Sequence, residues 1–286
     1  MNALELKDIV YTYSKNTPFE NTALHGVTVQ FEQGKVNGLI GHTGSGKSTL
    51  VQMMNGLLKP DSGEVLLAGK NIWDEPKKIR DVRFRCGLVF QYPEYQLFEE
   101  TCEKDIAFGP KNMGLDDEEI KRRVLSAVDF VGLEAEILQK SPFELSGGQK
   151  RRIAIAGIIA MHPEVLVLDE PAAGLDPRGR REILGGLSKY VQRNDATVIL
   201  VSHSMEDMAY YCDNVVVMNK SKVYKTGTVD EIFSDADSLE AIGLDVPVIA
   251  KIASRLVKEG ISLKGKLYTV EGVYDAINKY LGREKQ

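Results

Sequence analysis

The nine residues from Gly41 to Thr49, Gly-His-Thr-Gly-Ser-Gly-Lys-Ser-Thr, constrain the fold of this chain more than any other stretch. They fit G-x-x-x-x-G-K-[ST], the phosphate-binding loop, with Gly41, Gly46, Lys47 and Ser48 at the required places. At average glycine usage of about 7%, such a match arises by chance in roughly one chain in a hundred of this size, so the flanking sequence has to agree with it. Before the loop, Val36-Asn37-Gly38-Leu39-Ile40 reads as a short buried strand. After it, Leu50, Val51, Met54, Leu57 and Leu58 recur at helical spacing until Lys59-Pro60. A strand that feeds a loop opening a helix gathers backbone N–H groups and the positive end of the helix around one anion. Lys47 would then reach β- and γ-phosphate oxygens, and the Ser48 hydroxyl would take one position on Mg²⁺. Read alone, the motif could still be a glycine-rich turn.

With 286 residues, 43% of them hydrophobic, the chain is long enough for one large domain and a smaller one. A net charge of −5 and the lack of any long basic block argue against nucleic acid as a partner. Cys86, Cys102 and Cys212 are widely separated, which fits reduced thiols better than a disulfide framework. The first eight residues mix charge with apolar groups and make no signal peptide. No apolar run approaches the roughly 18 residues that a membrane span needs. The longest candidate is Ile153 to Met161, so the chain is expected to dock on a membrane protein at most.

From Ala3 to Phe31, alternating residues predict antiparallel strands broken at Ser14 to Asn21, and Tyr11 and Tyr13 fall on one strand face. Either tyrosine could stack on a nucleobase or simply pack. Val65-Leu66-Leu67 lies between turn signals as part of a short hairpin. Cys86-Gly87-Leu88-Val89-Phe90 is a second buried strand ending at Gln91, whose amide oxygen could serve a metal or face solvent. Residues 92 to 150 read as a helical insertion, with Ile120, Val124, Val128 and Val131 on one helix face. It closes at Leu145-Ser146-Gly147-Gly148-Gln149, directly before a helix from Lys150 to Met161. This turn is either a second anion nest or an ordinary serine cap.

Glu164-Val165-Leu166-Val167-Leu168-Asp169-Glu170 is a buried strand that delivers two carboxylates at its C-terminal end, the edge where ligands collect in open α/β sheets. Asp169 would hold the Mg²⁺ water shell and Glu170 would polarise an attacking water; otherwise both are solvated turn residues. A turn at Ala172 to Pro177 and a helix from Arg178 to Val191 precede the strand Ala196 to Val201, which stops at Ser202-His203. Beside a γ-phosphate, His203 would donate a hydrogen bond. A hairpin turns at Asn219-Lys220-Ser221. Asp230 to Asp245 reads as linker, and two helical patterns, Pro247 to Lys258 and Val270 to Leu281, flank a short strand candidate at Leu267-Tyr268, with Thr269 as N-cap of the second.

Taken in order, the Gly41–Thr49 loop, Gln91, Leu145–Gln149, Asp169-Glu170, Gly174-Leu175-Asp176 and His203 form a series that resembles the nucleotide-binding domain of ABC ATPases, over about residues 3 to 235. The resemblance implies an α/β fold with a RecA-like, mostly parallel sheet core, an antiparallel β subdomain and a helical signature subdomain, followed by a small, mainly helical extension. Residues 1–240 would be the nucleotide-binding domain, with the helical subdomain at about 92–160, and 241–286 an extension of dimerisation type. It further implies that Tyr13, Gly41, His42, Thr43, Gly44, Ser45, Gly46, Lys47, Ser48 and Thr49 bind ATP. Ser48, Gln91 and Asp169 would hold Mg²⁺, and Glu170, His203 and Gln91 would serve catalysis. In such proteins each ATP is closed between the loop of one domain and the signature of another. Ser146, Gly147, Gly148, Gln149 and Asp176 would therefore act across an interface with a second copy or a sister ATPase.

Finer strings, Ile40–Gly44, Phe90–Phe98 and Ile106–Asn112, look like the ATPase subunits of energy-coupling factor importers for vitamins or transition-metal ions. Thr17-Pro18-Phe19-Glu20 and Glu170-Pro171-Ala172-Ala173-Gly174 resemble the second of the two ATPases in those complexes. By that resemblance the chain sits peripherally on the cytoplasmic face of the cell membrane, against a transmembrane coupling subunit and a substrate-binding membrane subunit. Glu94, Glu99 and Glu100 would suit arginines on a partner helix. Ala172 stands where many such domains have threonine or serine, and no motif role depends on that hydroxyl. The alternatives are the ATPase of a conventional binding-protein-dependent importer, whose tail is usually larger and β-rich, and a soluble ABC ATPase of DNA repair or translation. The 96 residues between Thr49 and Ser146 leave no room for the long coiled coil of the latter.

Overall fold

In a computed structural model describing residues 1–282, the chain forms two sheets and a set of helices around two large cores and a small third one. The last four residues of the expected extension, 283–286, lie outside the described residues. The elements run β1 (Asn2–Tyr13), β2 (Asn21–Glu32), β3 (Val36–Gly41), α1 (Lys47–Met54), β4 (Ser62–Leu67), β5 (Lys70–Asn71), α2 (Ile79–Arg85) and β6 (Cys86–Val89). Then come α3 (Cys102–Asn112), α4 (Asp117–Phe130), α5 (Gly147–Ile159), β7 (Val165–Asp169), α6 (Pro177–Asn194), β8 (Thr197–Val201), α7 (Met205–Tyr211), β9 (Asn214–Asn219) and β10 (Lys222–Thr228). The chain finishes with α8 (Val229–Phe233), α9 (Ala236–Ala241), α10 (Val248–Lys258) and α11 (Val270–Tyr280).

One sheet has the order β2-β1-β4-β5 and is antiparallel; the other has the order β10-β9-β3-β8-β7-β6 and is parallel except for its β10 edge. Strands β3, β7 and β8 are buried on both faces because helices or the other sheet cover both sides, so they read as largely apolar runs, with Asn37 and Thr197 the buried polar exceptions among the described residues. Their central order has a direct consequence for function. Adjacent strands β3, β8, β7 and β6 release, at one sheet edge, the 41–49 loop, His203, the Asp169-Glu170 pair and Gln91.

Helices α3, α4 and α5 make the expected helical insertion, and α5 starts at Gly147, earlier than the predicted Lys150, because Ser146 caps it. Two expectations fail. The Asp230–Asp245 stretch is not linker: α8 and α9 form there, burying Val229, Ile232, Phe233 and Leu239 in the main core. Leu267-Tyr268 pairs with no strand among the described residues; Tyr268 instead packs near Phe233 and donates its hydroxyl to Asp230. Beyond α9, Leu244, Val246 and Ala250 anchor the tail to the main core, while Ala253, Leu263, Val273 and Ala276 make a small core of their own. No helix among the described residues is long and apolar enough to cross a membrane.

Candidate active site

The loop after β3 is held by close approaches that only glycine permits. A Cβ on Gly41 would lie 2.4 Å from the Met218 carbonyl oxygen, and one on Gly46, at φ +97°, would lie 2.7 Å from the Ala23 carbonyl oxygen. The loop thus curls against β2 and β9 and opens directly into α1. Lys47 is buried, and its ammonium donates to the carbonyls of Gly41 at 2.5 Å and His42 at 2.9 Å. Burial lowers its pKa, while Asp169 and Glu170 act in the opposite direction.

A cavity of about 380 Å³ lies at this edge, lined by Tyr13, His42, Thr43, Gly44, Gly46, Lys47, Ser48, Thr49, Gln91, Asp169, Glu170 and His203. Asn21, Thr22, Ala23 and Ser221 complete its wall. Tyr13 stands at the rim edge-on to Tyr11, with its hydroxyl 3.2 Å from Thr49 Oγ1. Burial, reinforced by Glu170, raises the pKa of Asp169, which accepts no hydrogen bond among the described residues. Burial also raises that of Glu170, opposed by hydrogen bonds from the His203 backbone and the Ser202 hydroxyl, the latter 3.4 Å away. Glu170 has a positive φ of 52°, and its Oε1 is buried without a hydrogen-bond partner among the described residues, 3.7 Å from His203 Nε2. Burial, then Lys47, lowers the His203 pKa, favouring the neutral ring.

Gly41 and Ser45 support the loop from behind, outside the lining. The residues Ser146, Gly147, Gly148, Gln149 and Asp176 also lie outside this cavity. Ser146 caps α5 through a reciprocal capping box with Gln149, and nothing stands within 4 Å of where a Gly147 side chain would begin. Asp176 caps α6 by accepting from Gly179 N at 2.7 Å, which lowers its pKa.

Sequence reasoning missed Arg151. This guanidinium, 4% exposed, runs from α5 to donate to the carbonyls of Glu170 at 2.6 Å and Pro171 at 3.0 Å, and lies 3.8 Å from Glu94. No sequence signal marked it, because Lys150-Arg151-Arg152 at the start of the predicted helix reads as a solvated basic run. Glu94 is therefore held within the chain, whereas Glu100 stays exposed in a surface pair with Lys104 at 2.6 Å.

The parallel sheet, the glycine-held lysine loop and the carboxylates opposite it define a P-loop nucleoside triphosphatase. The ABC transporter family model matches residues 24–173. The energy-coupling factor transporter ATP-binding protein EcfA2 of Clostridium acetobutylicum is 50% identical over 284 residues, covering 99% of each chain. Among solved structures, cbiO1 of Clostridium perfringens, described as part of the ABC transporter complex cbiONQ, superposes with a TM-score of 0.74 at 38% identity, covering 88% of this chain and 99% of that one. A dimeric ATP-binding cassette captured after hydrolysis with ADP and Pi gives 0.72 at 26% identity, covering 79% and 98%. The chain belongs to the ABC transporter family and is one of its ATPases, grouped with the energy-coupling factor ATP-binding proteins.

Proposed function

We propose that this chain is the ATP-driven motor of an energy-coupling factor importer, in which two ATPase domains close on ATP, reopen after hydrolysis, and pass that motion to membrane partners. The observation that carries the reading is the division of the motifs: one cavity gathers the loop, Gln91, Asp169, Glu170 and His203, and the Ser146–Gln149 turn faces elsewhere. A site assembled from two copies accounts for both halves, in head-to-tail arrangement.

In this assignment Lys47 leaves its two carbonyl partners to meet the phosphates, and the loop N–H groups cradle them. Tyr13 stacks on the base. Glu170 takes the proton of the attacking water, with burial keeping its basicity above that of an ordinary glutamate, and neutral His203 donates toward the γ-phosphate. Ser146, Gly147, Gly148 and Gln149 approach the γ-phosphate of the opposite copy, with Asp176 at the seam. Ser48, Gln91 and Asp169 bring hard oxygen donors to one cavity, and no side-chain or backbone donor among the described residues reaches the Asp169 carboxylate, so these residues fit Mg²⁺. The cation would neutralise charge on the phosphates.

A second cleft, about 360 Å³ and lined by Phe84, Leu97, Phe98, Phe108 and Met161, suits a helix of a transmembrane coupling subunit, with Tyr95 exposed nearby. That docking would hold the chain peripherally on the cytoplasmic membrane face. Val248, Ile252, Val270 and Tyr274 expose apolar surface on α10 and α11, suited to pairing with a second copy or a sister ATPase. The helical tail favours this reading over a conventional binding-protein-dependent importer, whose regulatory tail is β-rich. Glu170→Gln should accumulate as an ATP-bound dimer in sedimentation, and normal turnover by that variant would refute the base assignment. Membrane co-purification with mass spectrometry should recover the coupling and substrate-binding subunits.

A further inference from the structure

Helix α9 ends in a Schellman turn: Gly243, at φ +79°, donates its N–H to the Glu240 carbonyl at 2.8 Å, and Leu244 donates to Leu239 at 2.9 Å. The carbonyl of Ile242 is left over by this turn, as the last carbonyls of a helix are. It accepts from Nε2 of His42 at 2.9 Å. His42 belongs to the nucleotide loop, 200 residues away in sequence. The contact is close: a Cβ on Gly243 would lie 3.2 Å from the same Nε2.

His42 also has a second attachment. Its own carbonyl accepts from Lys47 Nζ at 2.9 Å and from Ser45 N at 3.1 Å. One residue therefore joins the buried ammonium of Lys47 to the turn that ends α9. Immediately past that turn, Leu244, Val246 and Ala250 dock on the main core, and the α10–α11 unit with its exposed apolar face follows.

We propose that His42 is a positioning residue coupling nucleotide loading to the seating of the C-terminal extension. With Ile242 in place, the His42 backbone is held where the loop needs it, so less ordering remains when phosphate binds. When Lys47 turns to phosphate, the His42 carbonyl loses that donor, and the adjustment of this residue passes through its ring to Ile242. Linkage makes the effect reciprocal: seating or pairing of the extension tightens nucleotide binding by the same factor that nucleotide tightens the seat. A single partly exposed hydrogen bond of this kind changes an equilibrium by roughly two- to twelvefold. The inference rests on the ATPase reading above.

The test is hydrogen exchange on the full chain with and without Mg²⁺ and a slowly hydrolysed ATP analogue, following segments 41–49 and 239–246 separately. In the wild type, analogue should protect both. In His42→Ala, segment 239–246 should exchange faster and stop responding, and analogue affinity should fall by about two- to twelvefold. Gly243→Ala, outside the nucleotide cavity, should do the same from the other side by straining the left-handed turn that presents Ile242 and by crowding the ring, and His42→Gln, which keeps a donor, should restore part of the response. If 41–49 is protected while 239–246 is indifferent in the wild type, or if His42→Ala responds as the wild type does, the coupling is wrong and the ATPase reading stands. If 41–49 is not protected either, both fall.

Discussion

Replacing Arg151 with alanine should damage the protein twice. The guanidinium donates to two backbone carbonyls, at 2.6 and 3.0 Å, and is the only cation placed within 4 Å of Glu94 among the described residues. Hydrogen bonds from a charged donor contribute about 1.5–3 kcal/mol each. Breaking a buried ion pair from one side costs about 3–5 kcal/mol because the other charge stays behind. These terms overlap, and the 3.8 Å separation makes the ion pair the weaker part, so we expect a loss of about 3–5 kcal/mol. That is a large share of a total stability of about 5–15 kcal/mol and should lower the melting temperature by about 10 °C. Glu170, whose left-handed backbone is tethered by one of those bonds, should drift, lowering kcat by about 10- to 100-fold with little change in nucleotide affinity. Calorimetry and steady-state ATPase assays read the two effects, and adding Glu94→Gln to Arg151→Ala should recover only the ion-pair share of the stability, and none of the kcat, because the Glu170 and Pro171 carbonyls stay without their donor. A loss under about 1 kcal/mol for Arg151→Ala would refute the argument, since that is the range of an exposed pair.

Three further outcomes follow from the same geometry. Tyr13→Ala should raise the KM for ATP by about 5- to 10-fold through lost stacking, with kcat nearly unchanged; an unchanged KM would remove Tyr13 from the base site. Because burial raises the Glu170 pKa, and the base works ionised, kcat should fall with decreasing pH on a limb above the ordinary glutamate value of about 4.3, a limb missing from the residual activity of Glu170→Gln. Burial pushes the Cys86 thiol up to about 12, Cys102 to about 11, and Cys212 higher still. An aromatic disulfide reagent should therefore find no fast thiol in the folded chain and three after denaturation, whereas one fast thiol in the native state would contradict the burial.

The motifs were legible because phosphate chemistry imposes its residue types locally: Gly41 and Gly46 must lack side chains, Lys47 must follow, and Asp169-Glu170 must end a buried strand. Their convergence came from sheet order, which strand patterns alone leave open. The misreadings share a cause, contacts distant in sequence. Arg151 sits in Lys150-Arg151-Arg152, which looks like a solvated run until Glu170 and Pro171 fold over it. Glu94 looked free for the same reason. The short helices α8 and α9 carry only a turn or two of pattern each, too little to distinguish from linker before Ile232 and Leu239 find the core. Tyr268 looked like strand because aromatic residues favour strands, yet it packs near Phe233 in α8 instead.

The most direct measurement is a structure of Glu170→Gln grown with ATP and Mg²⁺. The account predicts a triphosphate whose γ-phosphate touches Lys47 of one copy and Ser146 and Gly148 of another, with two such sites related by a twofold axis. A nucleotide wholly enclosed by one copy, or bound away from Lys47, would contradict it.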